Sequence, residues 1–529
     1  YKHVDELRND LSQVRETKAL KATAKVRKKA SFTRHRLYFG FAILLILLTV
    51  SGLAYFLNRS KPIDSIAVLP FVNSNNDPDI EYLGDGITET LITKLSLLPQ
   101  LRVMARSTVF RFKGKDVTPQ QVGEQLNVRA VLMGEIVQRD DVLRLNAELV
   151  DVSDGAQIWG DQYNRTLDDI FAVQDAISEQ ISTGLRLKLS RKEKSRLDKQ
   201  YTEDPEAYQL YLKGRFHWNK RTVQDLNTAL DYFQQAVNRD PTYALAYAGM
   251  ADCYVLLPLN AYSGLSGKEA YPKAKAAALQ ALQIDEQLAE AHTALAMTYL
   301  YFDKDTVSAK KSFLLAIELN SNYATGHHWY AIEYLSRPGH HDKAIAEMKR
   351  ALTLDPLSLV INGDLGWAYW RAGYYDLALE QFQNTIRMDQ NFYLAYWGLG
   401  WTHIAMGEIA KAIEPLQQAS QLSDTPKIVA SLGYAYGITG GTEGAKKTLV
   451  QLDELSSRRE VTPIEFAMIY AGLGDKDKAI EFLQRGLKQV DIDQQQAWLP
   501  HWDDYNLFWD NLRDDARFVE LLKKVGLEK

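Results

Sequence analysis

The sequence predicts three structural classes in series: a single transmembrane helix, then an α/β module, then an all-α helical-repeat solenoid. Three observations carry this reading. Leu37 to Leu57 reads LYFGFAILLILLTVSGLAYFL, 21 residues without a charge. Residues 63–190 alternate short apolar strands with amphipathic helical stretches. From Asp204 onward a small residue followed three positions later by Tyr or His returns at a nearly constant interval. With 529 residues, 46% hydrophobic and 24% charged, the chain has material for several folded units.

At 1.5 Å per residue, the apolar run from Leu37 covers roughly 30 Å as a helix, the thickness of a bilayer's hydrocarbon layer. It exceeds the apolar region of a signal peptide, and no A-x-A site closes it. Eight basic residues between Lys18 and Arg36 precede it and only Arg59 and Lys61 follow closely. The positive-inside bias then predicts a single-pass inner (plasma) membrane protein, with a cytoplasmic N-terminus and periplasmic or extracellular C-terminal domains. Residues 1–63 hold 13 Lys/Arg against 4 Asp/Glu, which leaves 49 against 63 for the remainder. An acidic bulk argues against nucleic-acid binding, which needs clustered Lys/Arg. The single cysteine, Cys253, excludes an internal disulfide and a cysteine-based metal cluster.

The module opens with SIAVLPF, a strand of the buried kind, and an Asn/Asp/Pro-rich loop. EYLGDGITETLITKLSLL carries apolar residues at helical spacing, and LRVMAR reads as a second strand. VTPQQVGEQLN reads as a helix with Thr118 at its N-cap and Pro119 at its first position. RAVLMGEIVQRDD and VLRLNAELVDVSDG alternate like an antiparallel hairpin turning near Asp140-Asp141, AQIWGDQYNRT adds a strand, and LDDIFAVQDAISEQISTGLRLKL closes the unit as a helix. LGDGIT places glycines where backbone N–H groups could meet an anion, but it lacks the G-x-x-x-x-G-K-[ST] pattern and its aspartate would repel phosphate. Residues 58–200 contain no histidine, so no Ser/His/Asp set is evident. On these segments, from SIAVLPF through FKGKDV to GAQIWGDQYNRTLDDIFAVQDAI, the module resembles the TolB-N-terminal-like domain of bacterial membrane proteins that join an output domain to tetratricopeptide (TPR) repeats.

The repeat signal runs through Gly214/His217, Ala251/Tyr254, Ala296/Tyr299, Ala331/Tyr334, Gly366/Tyr369, Gly400/His403, Gly433/Tyr436 and Ala467/Tyr470, with spacings of 37, 45, 35, 35, 34, 33 and 34. Alanines follow in step from Ala229 to Ala479. This is the 34-residue TPR period, with a small residue and an aromatic on helix A and alanines on helix B. It predicts a TPR solenoid of about eight repeats over residues 204–490, a longer loop in the second repeat, and a capping segment over 491–529. Asp-Pro pairs at Asp240-Pro241 and Asp355-Pro356 stop B helices.

Repeat arrays act by their curved surface, so the partner expected is a protein or peptide on the concave face. The A-helix positions beside the small residue fall on Trp367, Trp370, Arg371, Trp397 and Trp401, a candidate contact cluster of the residue types favoured as anchors. Filling of space between repeats is the competing reading. The pairs His327-His328 and His340-His341 do not make a metal site, because adjacent side chains on a helix diverge. No catalytic residue, metal or cofactor is expected.

YKHVDELRNDLSQVR reads as an amphipathic helix. Tyr1, Glu6, Leu7, Asp10 and Leu11 resemble the last helix of bacterial Hanks-type kinase domains, so residues 1–36 read as the end of such a domain plus a basic linker, and 37–57 as its membrane span. No G-x-G-x-x-G, V-A-I-K, H-R-D or D-F-G occurs in the chain. The resemblances imply a non-catalytic sensory region of a serine/threonine kinase. The alternatives are a membrane-anchored scaffold for envelope proteins, or the sensor half of a winged-helix regulator or nucleotide cyclase. Signalling across one span is simplest through a homodimer, although the span holds no G-x-x-x-G.

Overall fold

Ile66, Ala67 and Val68 are wholly buried in β1 (Ser65–Val68), the strand about which the α/β unit is built. The computed structural model describes residues 63–529, apart from 76, 78–79, 140–141, 167–168, 260–264, 337–338, 459–460, 490–505 and 525–529. β1 lies parallel to β3 (Arg102–Val103) on one side and to β4 (Ala130–Arg139) on the other. β4, β5 (Val142–Asp151) and β6 (Gln157–Thr166) continue as an antiparallel meander, and β2 (Val72–Asn73) pairs with the far end of β4. The sheet order is thus β3-β1-β4-β5-β6. β5 alternates exposed and buried residues, because one face of the sheet meets helices and the other does not.

The helices of this unit are α1 (Glu81–Ser96), the short α2 (Arg106–Val109), α3 (Pro119–Leu126), α4 (Ile170–Gly184) and α5 (Arg191–Leu197). α3 begins with a full capping box: Thr118 Oγ1 accepts from Gln121 N–H while the Gln121 side chain accepts from Thr118 N–H. α4 stops at Gly184, short of the expected Leu189, and Arg186 takes a left-handed φ of 55° just after it. The sequence does not announce α2 and α5, since each is too short to show apolar periodicity.

The remainder is an array of helical hairpins. Its A helices are α6 (Pro205–Trp218), α8 (Ala244–Leu256), α10 (Ala289–Thr298), α12 (Ala324–Trp329), α14 (Leu359–Arg371), α16 (Tyr393–Ala405), α18 (Pro426–Ile438) and α20 (Pro463–Gly472). The B helices are α7 (Val223–Arg239), α9 (Gly267–Ile284), α11 (Thr306–Leu319), α13 (His341–Leu354), α15 (Tyr375–Met388), α17 (Ile409–Leu422), α19 (Thr442–Ser456) and α21 (Lys476–Gln489). α10 and α12 each run on into a π-helical turn, Tyr299–Asp303 and Tyr330–Leu335. Two 3₁₀ turns, Asn506–Phe508 and Asp510–Leu512, and α22 (Ala516–Lys524) end the described chain.

In the first and fifth repeats the small residue of the A helix is explained by the B helix. A Cβ on Gly214 or Gly249 would lie 2.5 or 2.7 Å from the Phe233 ring, and one on Gly366 would lie 2.6 Å from Phe382, which Gly398 also abuts. Phe233 and Phe382 are wholly buried, so each ring is a plug held between two successive A helices. The repeat pattern assigns that space to a tyrosine of the A helix; a phenylalanine of the B helix fills it instead.

The architecture is therefore a mixed α/β unit followed by a mostly helical TPR-like solenoid. The preceding transmembrane helix, and the single-pass inner-membrane localisation built on it, are corrected. Among the described residues no helix is long and apolar enough to cross a membrane. B helices such as α7 bury one side only, with Leu226, Ala229, Phe233, Ala236 and Val237 inside, and an A helix buried all round, such as α18, is only 13 residues long. The stretch 37–57 and the N-terminal helix lie outside the described residues.

Candidate functional site

Most successive A helices pack against one another as well as against their B helices. The chain's own α/β unit packs on the A helix of the first repeat and reaches the B-to-A loops as far as the fifth. α1 lies against α6: a Cβ on Gly86 would sit 2.5 Å from Leu212 Cδ1, so only glycine lets the two helices come this close. Gly84 likewise faces the Phe71 carbonyl, whose oxygen would lie 2.8 Å from a Cβ at that position. The glycines of LGDGIT lie inside α1, which starts at Glu81, and serve helix packing; they do not form an anion site at a helix N-terminus.

Arg215 of α6 donates to Glu89 of α1 at 2.6 Å and lies 3.6 Å from Asp252 of α8, while Arg106 pairs with the other oxygen of Glu89 at 3.0 Å. Asn219 also donates to Glu89, at 3.1 Å. Burial opposes the Glu89 charge, but the two guanidinium groups outweigh it and hold the carboxyl below the usual range. Asp252 has one weaker cation contact, and burial pushes it up to about 7 against the pull of Arg215. Beside this cluster, Tyr201, Tyr208, Tyr211, Tyr243 and Gln174 line a cavity of about 50 Å³. That is room for one or two waters and excludes an organic ligand.

The loops leading from each B helix to the next A helix form a second row of contacts. Thr202 donates to Asp240 at 2.6 Å and Lys199 lies 2.8 Å from Asp285. Asn320 donates to Ser96 Oγ at 2.8 Å, and Asn322 donates to the carbonyls of Ser96, Leu98 and Leu101 at 3.0, 3.2 and 2.9 Å. Asp355 accepts from Ser107 and from Thr108, the latter at 2.7 Å, and Ala105 N–H donates to Leu354 O at 2.9 Å. At the next equivalent position Asp389 instead accepts from Asn391 N–H, within its own loop. The Asp-Pro stops read from the sequence as helix breakers therefore also hold the α/β unit.

Beyond this seat the A-helix face is aromatic. Trp367 and Trp397 are half-buried, with ring centroids 5.2 Å apart, and Trp370 and Trp401 are buried behind them at 5.9 Å from each other. Trp401 and Trp397 both donate to Ser431 Oγ, at 2.8 and 3.2 Å. Four of the five predicted contact residues thus form one edge-to-face cluster. The charge of Arg371 acts on Tyr301, which donates to Glu333. His327 and His328 bond Glu347 and Asp364, at 2.7 Å each, and link neighbouring helices. Among the described residues no group of three or more His, Cys, Asp or Glu could hold a metal ion.

The sequence of the α/β unit, residues 62–180, matches the family described as HilA/YgeH-like transcriptional regulator, second domain. Residues 464–489 match the tetratricopeptide repeat family. A curated relative, "Putative adenylate cyclase 3" of Rhizobium meliloti (strain 1021), is 34% identical over 238 residues, 45% of this chain. The chain spans 40% of that relative's length. Among solved structures, Pseudomonas aeruginosa pilF is 19% identical and covers 40% of this chain and 95% of its own, with a TM-score of 0.32. The type IV pilus biogenesis factor PilW is 18% identical, covers 41% and 95%, and has a TM-score of 0.35. The chain carries a TPR-like array of helical hairpins, within which residues 464–489 match the tetratricopeptide repeat family.

Proposed function

We propose that this chain is the protein-interaction region of a signalling protein with nucleotide cyclisation as its output. The observation that carries the interaction half of this reading is the seating of the α/β unit. It covers α6 and engages the connecting loops as far as the fifth repeat in cis, so a protein or peptide partner is left the aromatic face of the later repeats around Trp367 and Trp397. The cyclase output is supported by the name and identity of the Rhizobium meliloti relative. A second reading, a transcription regulator, is favoured by the family match of residues 62–180. The kinase output and the TolB-like assignment gain no comparable support from these matches.

Reading the coding sequence 5′ of the Tyr1 codon tests the output. An in-frame nucleotide cyclase domain is the expected result. An in-frame winged helix would favour the second reading, and an in-frame kinase domain with H-R-D and D-F-G would overturn both.

A further inference from the structure

The aromatic row on the A helices continues past Trp401 to Tyr434, and the ring between those two does not belong to the array. It is Phe508, whose centroid lies 5.0 Å from that of Trp401 and 4.8 Å from that of Tyr434, edge-on to both. Tyr434 donates its hydroxyl to Leu507 O at 3.2 Å, and Asn511 donates to Ala471 O at 2.7 Å. The segment Asn506–Leu512 therefore crosses α16, α18 and α20 in turn, contacting the A helices of three successive repeats with side chains and main chain. Phe508 and Leu512 are wholly buried and Trp509 is 1% exposed. α22 is a separate cap, tied to α21 by Arg517 and Asp477 at 2.8 Å.

We propose that the face formed by Trp401, Tyr434 and the Ala471 carbonyl is a peptide-binding site which Asn506–Leu512 fills in cis. Its trans ligand is a partner peptide of the same chemistry, an adjacent aromatic pair followed three residues later by a leucine. This rests on the reading that the later repeats receive the partner. A tethered segment competes at an effective concentration in the millimolar range. The apparent affinity for a free peptide is then reduced by the fraction of chains in which the segment is undocked. Docking in cis thus sets a threshold that only a well-matched or abundant partner passes.

The test uses the full chain and a fluorescein-labelled peptide with the sequence of residues 504–514, followed by anisotropy. Phe508→Ala, which weakens the cis contact, is expected to bind the peptide at least about tenfold more tightly than the unaltered chain. Adding Trp401→Ala should abolish that binding. Equal binding by the unaltered chain and a Phe508→Ala chain of unchanged helicity overturns the proposal, whatever the output domain is. Should Phe508→Ala fail to fold, hydrogen exchange on the unaltered chain decides: amides of 507–512 are expected to open locally, well before those of α18, and equal protection overturns the proposal. A dimer of the unaltered chain that dissociates in Phe508→Ala would make a second copy the occupant and also overturn it.

Discussion

Thr108 donates its hydroxyl to Asp355 at 2.7 Å, and the same oxygen accepts the Leu357 N–H at 2.9 Å. One side chain of the α/β unit thus closes a ring with the loop between the fourth and fifth repeats. Burial raises the Asp355 pKa, and the bonds from Ser107 and Thr108 restrain the rise. Asp355→Ala leaves these hydroxyls without their acceptor and should cost about 1–3 kcal/mol. Asp355→Asn keeps an acceptor and should cost less; thermal denaturation of both variants measures the difference.

Asn322 is expected to be a costlier position in the same row, since its carboxamide serves the carbonyls of Ser96, Leu98 and Leu101, all in the buried seam. Asn322→Ala should lower stability by more than Asp355→Asn, on the order of 2 kcal/mol, as buried acceptors lose their donor. Urea titration of the two variants side by side checks the order.

How legible this seam is in the sequence depends on the residue. The TPR period, the Thr118–Pro119 helix start and the β4–β5 hairpin follow from local rules, because caps, turns and apolar spacing act over a few residues. The seam does not. Gly86 and Leu212 are 126 positions apart in the chain, and nothing near either signals the other. LGDGIT accordingly invites an anion-site reading, when Gly86 is where α6 meets α1 and Gly84 where Phe71 crosses it. The tryptophan cluster is marked by its position beside the small residue, but which rings face outward depends on Ser431 and Phe508, from other repeats and from the C-terminal segment.

Gly86→Leu places a side chain where Leu212 already packs and should destabilise the chain by about 1–3 kcal/mol or more, the usual penalty for overpacking. Leu212→Ala in that background should recover part of the loss, although alone it opens a cavity. Non-additivity between the two, read from thermal melts, is the expected outcome.

Phe382→Ala removes the plug between Gly366 and Gly398 and should cost about 3–5 kcal/mol, with near-ultraviolet dichroism of the adjoining tryptophans changing at the same time. Trp367 lies 5.5 Å from that ring. A loss below about 1 kcal/mol would mean that the two A helices collapse freely into the space.

The seam should also respond to pH. Burial pushes Asp252 up to about 7 in the folded chain from an ordinary value of 3.8, so the folded state holds its proton more tightly. Its effect is to lower stability as pH rises from about 4 to about 7, with no further change above. Glu89 works in the opposite sense: its pKa is lowered, and the stability it contributes above the unfolded value is lost as pH falls through its folded pKa. Asp252→Asn should therefore stabilise the chain near pH 8 by about 1–3 kcal/mol and change little near pH 4, while Arg215 keeps Glu89 as its partner. Melting temperatures at the two pH values test the sign.

The α/β unit sits against α6, the first A helix of the array, and is joined to it through Glu89 and Arg215. A double-mutant cycle with Glu89→Gln and Arg215→Gln, read by chemical denaturation of the full chain, tests it most directly. The seated arrangement predicts a coupling energy of about 1.5 kcal/mol or more for a buried, hydrogen-bonded charge pair. Additivity within about 0.5 kcal/mol would contradict the contact and the seating with it.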